Sequence, residues 1–208
     1  MQLSQAQQEL VASVKADVEK GLTTDEAAAR REKQGSFNTV EPPINCPSWV
    51  CCLLPCINHV PSMQAFARIK PDDAELKRNG KWIRYDAASL VIGDIIRLEE
   101  GDVVPADCVV LTLEEGTSEL LVDHRSVTGE EKPRSAKRRG NFVQPTQLFW
   151  GGRVVLGSAI AVTTAVGSDT LVASLIRDGR FPPKGDIVTT DDDADEEAGI
   201  SLMARGPT

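Results

Sequence analysis

The sequence predicts a mainly β fold, a roll or sandwich, preceded by a helical extension, which makes it α+β overall. Three observations carry that expectation. From about residue 72 to 176 the chain breaks into short β-rich runs separated by Gly, Asp and Pro. Within that stretch the dipeptide Gly-Asp recurs eight residues apart, at Gly93-Asp94 and Gly101-Asp102, each time ahead of an apolar run. Residues 4–34 instead place their apolar positions at helical spacing. With 208 residues and 41% apolar content the chain can bury a core, and one compact domain with appendages is expected.

In order along the chain, Leu10, Val11, Val14 and Val18 predict a first helix that Gly21 ends. Thr23-Thr24-Asp25-Glu26 has the form of a capping box and opens a second helix through Ala27–Ala29, stopping at Gly35. Residues 41–63 hold five prolines and four cysteines, too much proline for a long regular element, and read as a linker with an apolar centre. The runs AELKR, WIRYD, DIIRLEE, CVVLTL, SELLVD, QLFWG and RVVLGSAIAVTTAV then predict the strands. Glycine permits positive φ and aspartate bonds turn backbone, so the two Gly-Asp pairs read as corners between strands. Trp82 and Trp150 are expected in the core, and Cys108, inside CVVLTL, is expected to be buried and inert. The stretch DDDADEE near the end predicts a disordered acidic tail. The expected organisation is therefore a helical segment over 1–40, a Pro/Cys-rich linker over 41–69, a β domain over 70–178 and the tail over 179–208.

Charge narrows the function classes. A formal net charge of -8 disfavours nucleic acid as a partner, because phosphate backbones are bound by clustered Lys and Arg. The one basic run, Lys132 to Arg139, is interrupted by Pro133 and Ser135 and reads as a solvated loop. The N-terminus is polar and no apolar run approaches the ~20 residues of a membrane span, so a cytoplasmic chain is expected.

Five cysteines, an odd number, argue against a disulfide framework. Cys46, Cys51, Cys52 and Cys56 cluster with His59 among Trp49, Val50, Leu53, Leu54 and Ile57. Three readings compete for them. Acylated cysteines in an apolar patch would tether the chain to the cytoplasmic face of a membrane, and two or more chains make such an anchor stable. Zinc is the second, although the spacing lacks the usual CxxC pairs. The third is a thiol-rich loop packed under the β domain.

Arrangement goes further than composition. Leu90, Val91, Gly93 and Asp94, then Gly101, Asp102, Pro105, Ala106 and Asp107, then Asp123, Thr128, Gly129, Glu130 and Pro133 form three ordered motifs. They closely resemble the actuator domain of P-type ATPases, the cation pumps that cycle through an aspartyl-phosphate, and look most like the plasma-membrane proton-pump branch. RNGKW at 78–82 and WGGRVVLGSAIAVTTAVGSDTLVASL resemble the opening hairpin and the closing strands and helix of that domain. GLTTDEAAARREKQGSFNTV is similar to the pumps' N-terminal helical segment. The resemblance implies a distorted jelly roll. It also implies that Thr128-Gly129-Glu130 enters the phosphorylation site of another domain, where the glutamate positions the water that attacks the aspartyl-phosphate, with Mg²⁺ present only if a phosphorylated partner supplies the site.

Two positions depart from the family pattern. Arg125 stands where the family has a serine, and Glu131 replaces the serine after the glutamate, adding negative charge beside a site meant for phosphate. The sequence has no Asp-Lys-Thr-Gly phosphorylation motif, and residues 41–69 are too short to cross a bilayer twice where the pumps have their first membrane hairpin. The expectation is a non-transporting interaction or regulatory module acting on a pump or another phosphoprotein. Alternatives are a dephosphorylation helper or phosphohydrolase using Glu130, and a Cys/His metal-binding module. His124, beside the third motif, reads as solvent-facing, with pH tuning of the loop as the alternative.

Overall fold

Apolar residues on both sides of three central strands decide the architecture. The computed structural model describes residues 3–45, 60–140 and 142–184. Its strands are β1 (Asp73–Arg78), β2 (Lys81–Asp86), β3 (Ile95–Leu98), β4 (Asp107–Leu113), β5 (Glu119–Asp123), β6 (Arg134–Arg139), β7 (Phe142–Val143), β8 (Gln147–Leu148), β9 (Arg153–Leu156) and β10 (Ala159–Ala165). The helices are α1 (Gln5–Ser13), α2 (Thr24–Gln34), α3 (Pro61–Ile69), the single turn α4 (Arg125–Thr128) and α5 (Leu171–Arg177). One antiparallel sheet runs β2-β1-β3-β10-β4-β8 and the other β7-β6-β5-β9. Leu76, Ile96, Leu98, Val110 and Ala161 from the first meet Leu120, Val122, Ala136 and Val154 from the second to form the main core. This is the mainly β roll with a helical extension that the run pattern predicts.

Strand side chains alternate between faces, so Ile95, Leu111 and Val162 point away from that core. Left bare they would form a wide apolar patch. The N-terminal segment covers them: Leu3, Leu10, Val11, Val14, Ala16 and Val18 pack there together with Trp82. Gln7, fully buried on α1, donates through Nε2 to the carbonyls of Val110 and Leu111 at 3.0 Å each. Those carbonyls lie where the β4–β10 register slips, so the side chain serves backbone groups that the ladder leaves over.

A second attachment is made by α2, whose Thr23/Glu26 capping box forms as the sequence predicts and which ends at Gly35. Arg30 Nη1 donates to Val14 O at 2.8 Å and to Ile92 O at 2.7 Å, tying α2, the end of α1 and the first Gly-Asp corner together. Gly93 has φ +89° at that corner, and a Cβ there would stand 2.8 Å from Val14 O. Only glycine lets the extension come this close. Asn38 is the third: its Nδ2 donates to Ala87 O at 2.9 Å and Pro105 O at 2.8 Å, and its Oδ1 accepts the Gly167 amide at 2.8 Å. Around the end of the roll a further cluster joins Phe66 and Ile69 of α3 to Phe149, Trp150, Val172 and Phe181, with the Phe66 and Trp150 rings stacked at 5.7 Å.

Several local expectations are corrected. The first helix stops at Ser13, not Gly21. Lys15 has φ +52°, and Asp17 Oδ1 accepts the amides of Glu19 and Lys20 at 2.8 Å each, a turn that competes with helix and still lets Val18 reach the apolar patch. Lys132 to Arg139 is not a loop throughout: Arg134–Arg139 is strand β6, paired with β5, its charges tolerated because only Ala136 is turned fully inward. RVVLGSAIAVTTAV divides at Gly157-Ser158 into β9 and β10, which belong to different sheets. The end of the segment read as linker is helix α3, with proline in its first turn. Trp82 is only half-buried, lying between Arg97 and Lys77, whose charged groups stand 4.4 and 5.5 Å from its ring. The cysteine cluster with His59 and the DDDADEE tail lie outside the described residues.

Asn38→Ala strands two carbonyls and one amide that are buried with it. A loss of about 2–4 kcal/mol is expected in urea unfolding, with faster protease cleavage between residues 36 and 45. A change below about 0.5 kcal/mol would show that the extension is not held at this point.

Candidate functional site

The three motifs occupy different structural roles, and only the third ends on an exposed tip. In the first, Asp94 is fully buried, accepts the Val91 amide at 2.9 Å, and takes a fork from Arg78 at 3.2 and 2.7 Å. In the second, Asp102 Oδ2 accepts the Glu99 amide at 2.8 Å, closing the turn at Gly101, while Pro105 offers its carbonyl to Asn38 and Ala106 is buried. Asp107 Oδ1 accepts the Trp150 amide at 2.9 Å and its Oδ2 accepts the Leu171 amide at 2.8 Å, so one carboxylate joins the turn after β8 to the start of α5. Burial pushes the Asp107 carboxyl above the usual range, and the two amides pull it back. Cys108 is buried and free, and burial pushes its thiol well up, consistent with an inert side chain.

The third motif forms a braced corner between β5 and β6. Asp123 Oδ1 accepts the Arg125 amide at 2.8 Å. His124 O accepts the amides of Val127 and Thr128 at 2.9 and 2.8 Å and the Thr128 hydroxyl at 3.2 Å, winding α4. Gly129 then takes φ +77°, reversing the chain so that Glu130 leaves the helix end, and a Cβ at Gly129 would stand 3.0 Å from Pro183. Arg125 Nη2 donates to Glu131 O at 3.3 Å, so the two positions that depart from the family pattern are bonded to each other through backbone while the Glu131 side chain is exposed. Pro133 leads directly into β6.

Glu130 is not free. Arg134, the first residue of β6, donates from Nε to Oε2 at 2.9 Å and from Nη2 to Oε1 at 2.6 Å. The same guanidinium donates from Nη1 to Gln147 O at 2.9 Å and lies 4.4 Å over the Phe149 ring. The hydrogen bond from Arg134, with its charge behind it, holds the Glu130 carboxyl below the usual carboxylate range. With side-chain exposures of 29% and 35% the pair is partly screened, so it is worth about 1 kcal/mol or less and is exchangeable. Arg134 is the residue that sequence reasoning misses, hidden in the basic run. Its signal is position: it follows Pro133 and lies four residues from Glu130.

His124 is fully buried, correcting the solvent-facing expectation. Its Nε2 accepts the Phe149 amide at 2.9 Å, which places the proton on Nδ1, and its ring meets Phe149 edge-on at 5.7 Å. It is therefore part of the wall behind Arg134. Among the described residues no three His, Cys, Asp or Glu side chains converge as a metal site. Of the loop's carboxylates, Glu130 is engaged by Arg134, Asp123 accepts the Arg125 amide and Glu131 is exposed, and they do not converge on a common point, so these residues do not fit a magnesium ion of their own.

An antiparallel roll whose Thr-Gly-Glu tip projects from a glycine corner defines an actuator-type domain. The chain belongs to the P-type ATPase actuator domain family, whose model matches residues 68–179, while residues 4–67 match the cation transporter/ATPase N-terminus. An endoplasmic reticulum calcium ATPase of Aspergillus fumigatus is 33% identical over 121 residues, covering 55% of this chain and 12% of that protein. A plasma membrane ATPase of Dictyostelium discoideum is 33% identical over 93 residues, covering 45% of this chain and 8% of that protein. A sodium/potassium-transporting ATPase alpha subunit of Hydra vulgaris is 28% identical over 117 residues, covering 54% and 11%. The chain thus spans about a tenth of the length of the curated relatives it matches.

Burial, and then the charge of Arg134, lower the His124 pKa from 6.5 to about 4. The unfolded chain therefore binds the proton first, and stability present above pH 6.5 is lost as pH falls toward 4. The gap corresponds to about 3 kcal/mol. Urea unfolding between pH 7 and 4 should show this slope, and His124→Gln should flatten it; an unchanged slope in the variant assigns it to other groups.

Proposed function

We propose that this chain is a non-transporting docking module: its Thr128-Gly129-Glu130 tip engages a phosphorylated surface on a P-type pump or another phosphoprotein and regulates it without hydrolysing it. The observation that carries this reading is the fork from Arg134 to both oxygens of Glu130. A carboxylate gripped on both oxygens by a guanidinium and with a lowered pKa is a poor base toward water. It can still present a braced, glycine-turned tip to a concave partner. The non-transporting part is supported by α3, which packs Phe66 and Ile69 against Trp150 and so belongs to the β domain. Residues 46–59, between it and the N-terminal segment, are fewer than the ~20 that one membrane span needs. Among the described residues no helix is long and apolar enough to cross a membrane.

A second reading, a dephosphorylation helper acting in trans, is favoured by the partial exposure of the pair, which lets Glu130 leave Arg134 at low cost. The two readings separate when the chain is mixed with a phosphorylated P-type pump lacking its own actuator domain. Docking predicts binding to the Mg²⁺/beryllium fluoride form that Glu130→Gln preserves, with no faster loss of phosphate. Acceleration abolished by Glu130→Gln would establish the helper instead, and no binding at all would refute both.

The cysteine cluster extends the proposal to a membrane-tethered module with Cys46, Cys51, Cys52 and Cys56 acylated. Acyl-exchange labelling of the protein from its native cells should then report two or more modified cysteines. Unmodified thiols in a membrane-free fraction would remove the anchor, and zinc in the purified chain that disappears on changing Cys51 and Cys52 would assign the cluster to metal.

A further inference from the structure

We infer that Arg134 is the phosphate-binding residue of the Thr-Gly-Glu loop. In the free chain its fork holds Glu130; on a docked partner it passes to the phosphoryl oxygens while Glu130 pivots away from them. This rests on the docking reading given above and names the group that would recognise the phosphate.

Three features of Arg134 fit it for an anion. Its backbone belongs to β6, where it pairs with Val122 of β5, so the side chain starts from a sheet and not from the turn. Its guanidinium is placed by contacts that do not involve Glu130: the Gln147 carbonyl at 2.9 Å and the Phe149 ring at 4.4 Å. Phe149 is itself held, since its amide donates to buried His124. Both anchors survive if Glu130 rotates away, so the fork needs no rebuilding to accept a second anion.

The donor inventory points the same way. A guanidinium has five N–H groups. Arg134 directs one each from Nε and Nη2 to Glu130 and one from Nη1 to Gln147, which leaves one on Nη1 and one on Nη2 without a partner among the described residues, on a side chain 29% exposed. A phosphoryl group can first meet those two and then displace the carboxylate, because it brings more negative charge to the same planar fork. Lys132 lacks these supports: it sits in the turn, exposed, with no fixed partner among the described residues. Gly129, in the left-handed conformation at the end of α4, gives Glu130 a short pivot for the exchange.

The test uses the full chain and, as probe, the phosphorylation domain of a P-type pump loaded with Mg²⁺ and beryllium fluoride, with affinity measured by calorimetry. Arg134→Gln is expected to weaken binding tenfold or more, and Arg134→Lys, which keeps charge but loses the fork, by an intermediate factor. Glu130→Gln is expected to bind as well as or more tightly than the unaltered chain, because the competing carboxylate is gone. The Nε–H resonance of Arg134 should shift on binding in the unaltered chain and in Glu130→Gln alike. If Arg134 served only to hold Glu130, both Arg134 variants would bind within twofold of the unaltered chain and the resonance would move only when Glu130 is ionisable; that result overturns the assignment while docking stands. Should Arg134→Gln fail to fold, the Arg134→Lys affinity and the resonance decide alone. Absence of binding by the unaltered chain refutes docking and this assignment together.

Discussion

Ile95, Leu111 and Val162 face away from the main core on strands β3, β4 and β10, and covering them is the constraint on which the rest of the molecule depends. A sheet with one wet face could stand alone as half of a sandwich; this one cannot, because its central strands are apolar on both sides. The N-terminal segment is therefore part of the fold and not an appendage. Apolar contact alone would let α1 slide, since hydrophobic burial is non-directional. Register comes from polar side chains that each satisfy backbone groups of distant segments: buried Gln7 at the β4 irregularity, half-buried Arg30 at the Gly93 corner and buried Asn38 between Ala87, Pro105 and Gly167.

The same logic reaches the tip. Glu130 is held by Arg134, Arg134 lies on Phe149, the Phe149 amide is bound by His124, and the His124 carbonyl winds the turn that carries Thr128. The chain of contacts closes on itself, so the tip's geometry is set by the cluster beneath it, where Phe149 meets Trp150 and α3. A neutral His124 suits that position: an imidazolium would lose the Phe149 amide and stand beside the guanidinium of Arg134.

Much of the fold was legible because it follows from local pattern. The Thr23/Glu26 capping box, the apolar alternation of CVVLTL and the Gly-Asp corners are encoded within a few residues. What was illegible depends on partners far along the chain. RSAKRR has no strand signature of its own and is a strand because β5 offers it a ladder. His124 is hidden because Phe149, 25 residues later, supplies a donor that offsets its burial. The first helix stops early because Asp17 bonds two amides locally, a competition that apolar spacing does not register. In the site, the Thr-Gly-Glu tip was readable as a motif, whereas its arginine was masked by the neighbouring charges in the same run.

The departures at Arg125 and Glu131 take on a different weight in three dimensions. Like charge beside Glu130 disfavours a phosphate only if the second carboxylate faces the same space. Glu131 is exposed and its backbone carbonyl is tied to Arg125, so the turn can direct its charge to water, where screening over about a Debye length of 10 Å weakens it. Arg134 meanwhile cancels the charge of Glu130 at contact distance. The loop's electrostatic character is therefore set less by the extra acid in its sequence than by which side chain the guanidinium faces, and that choice is made by the sheet and the aromatic ring on which it rests.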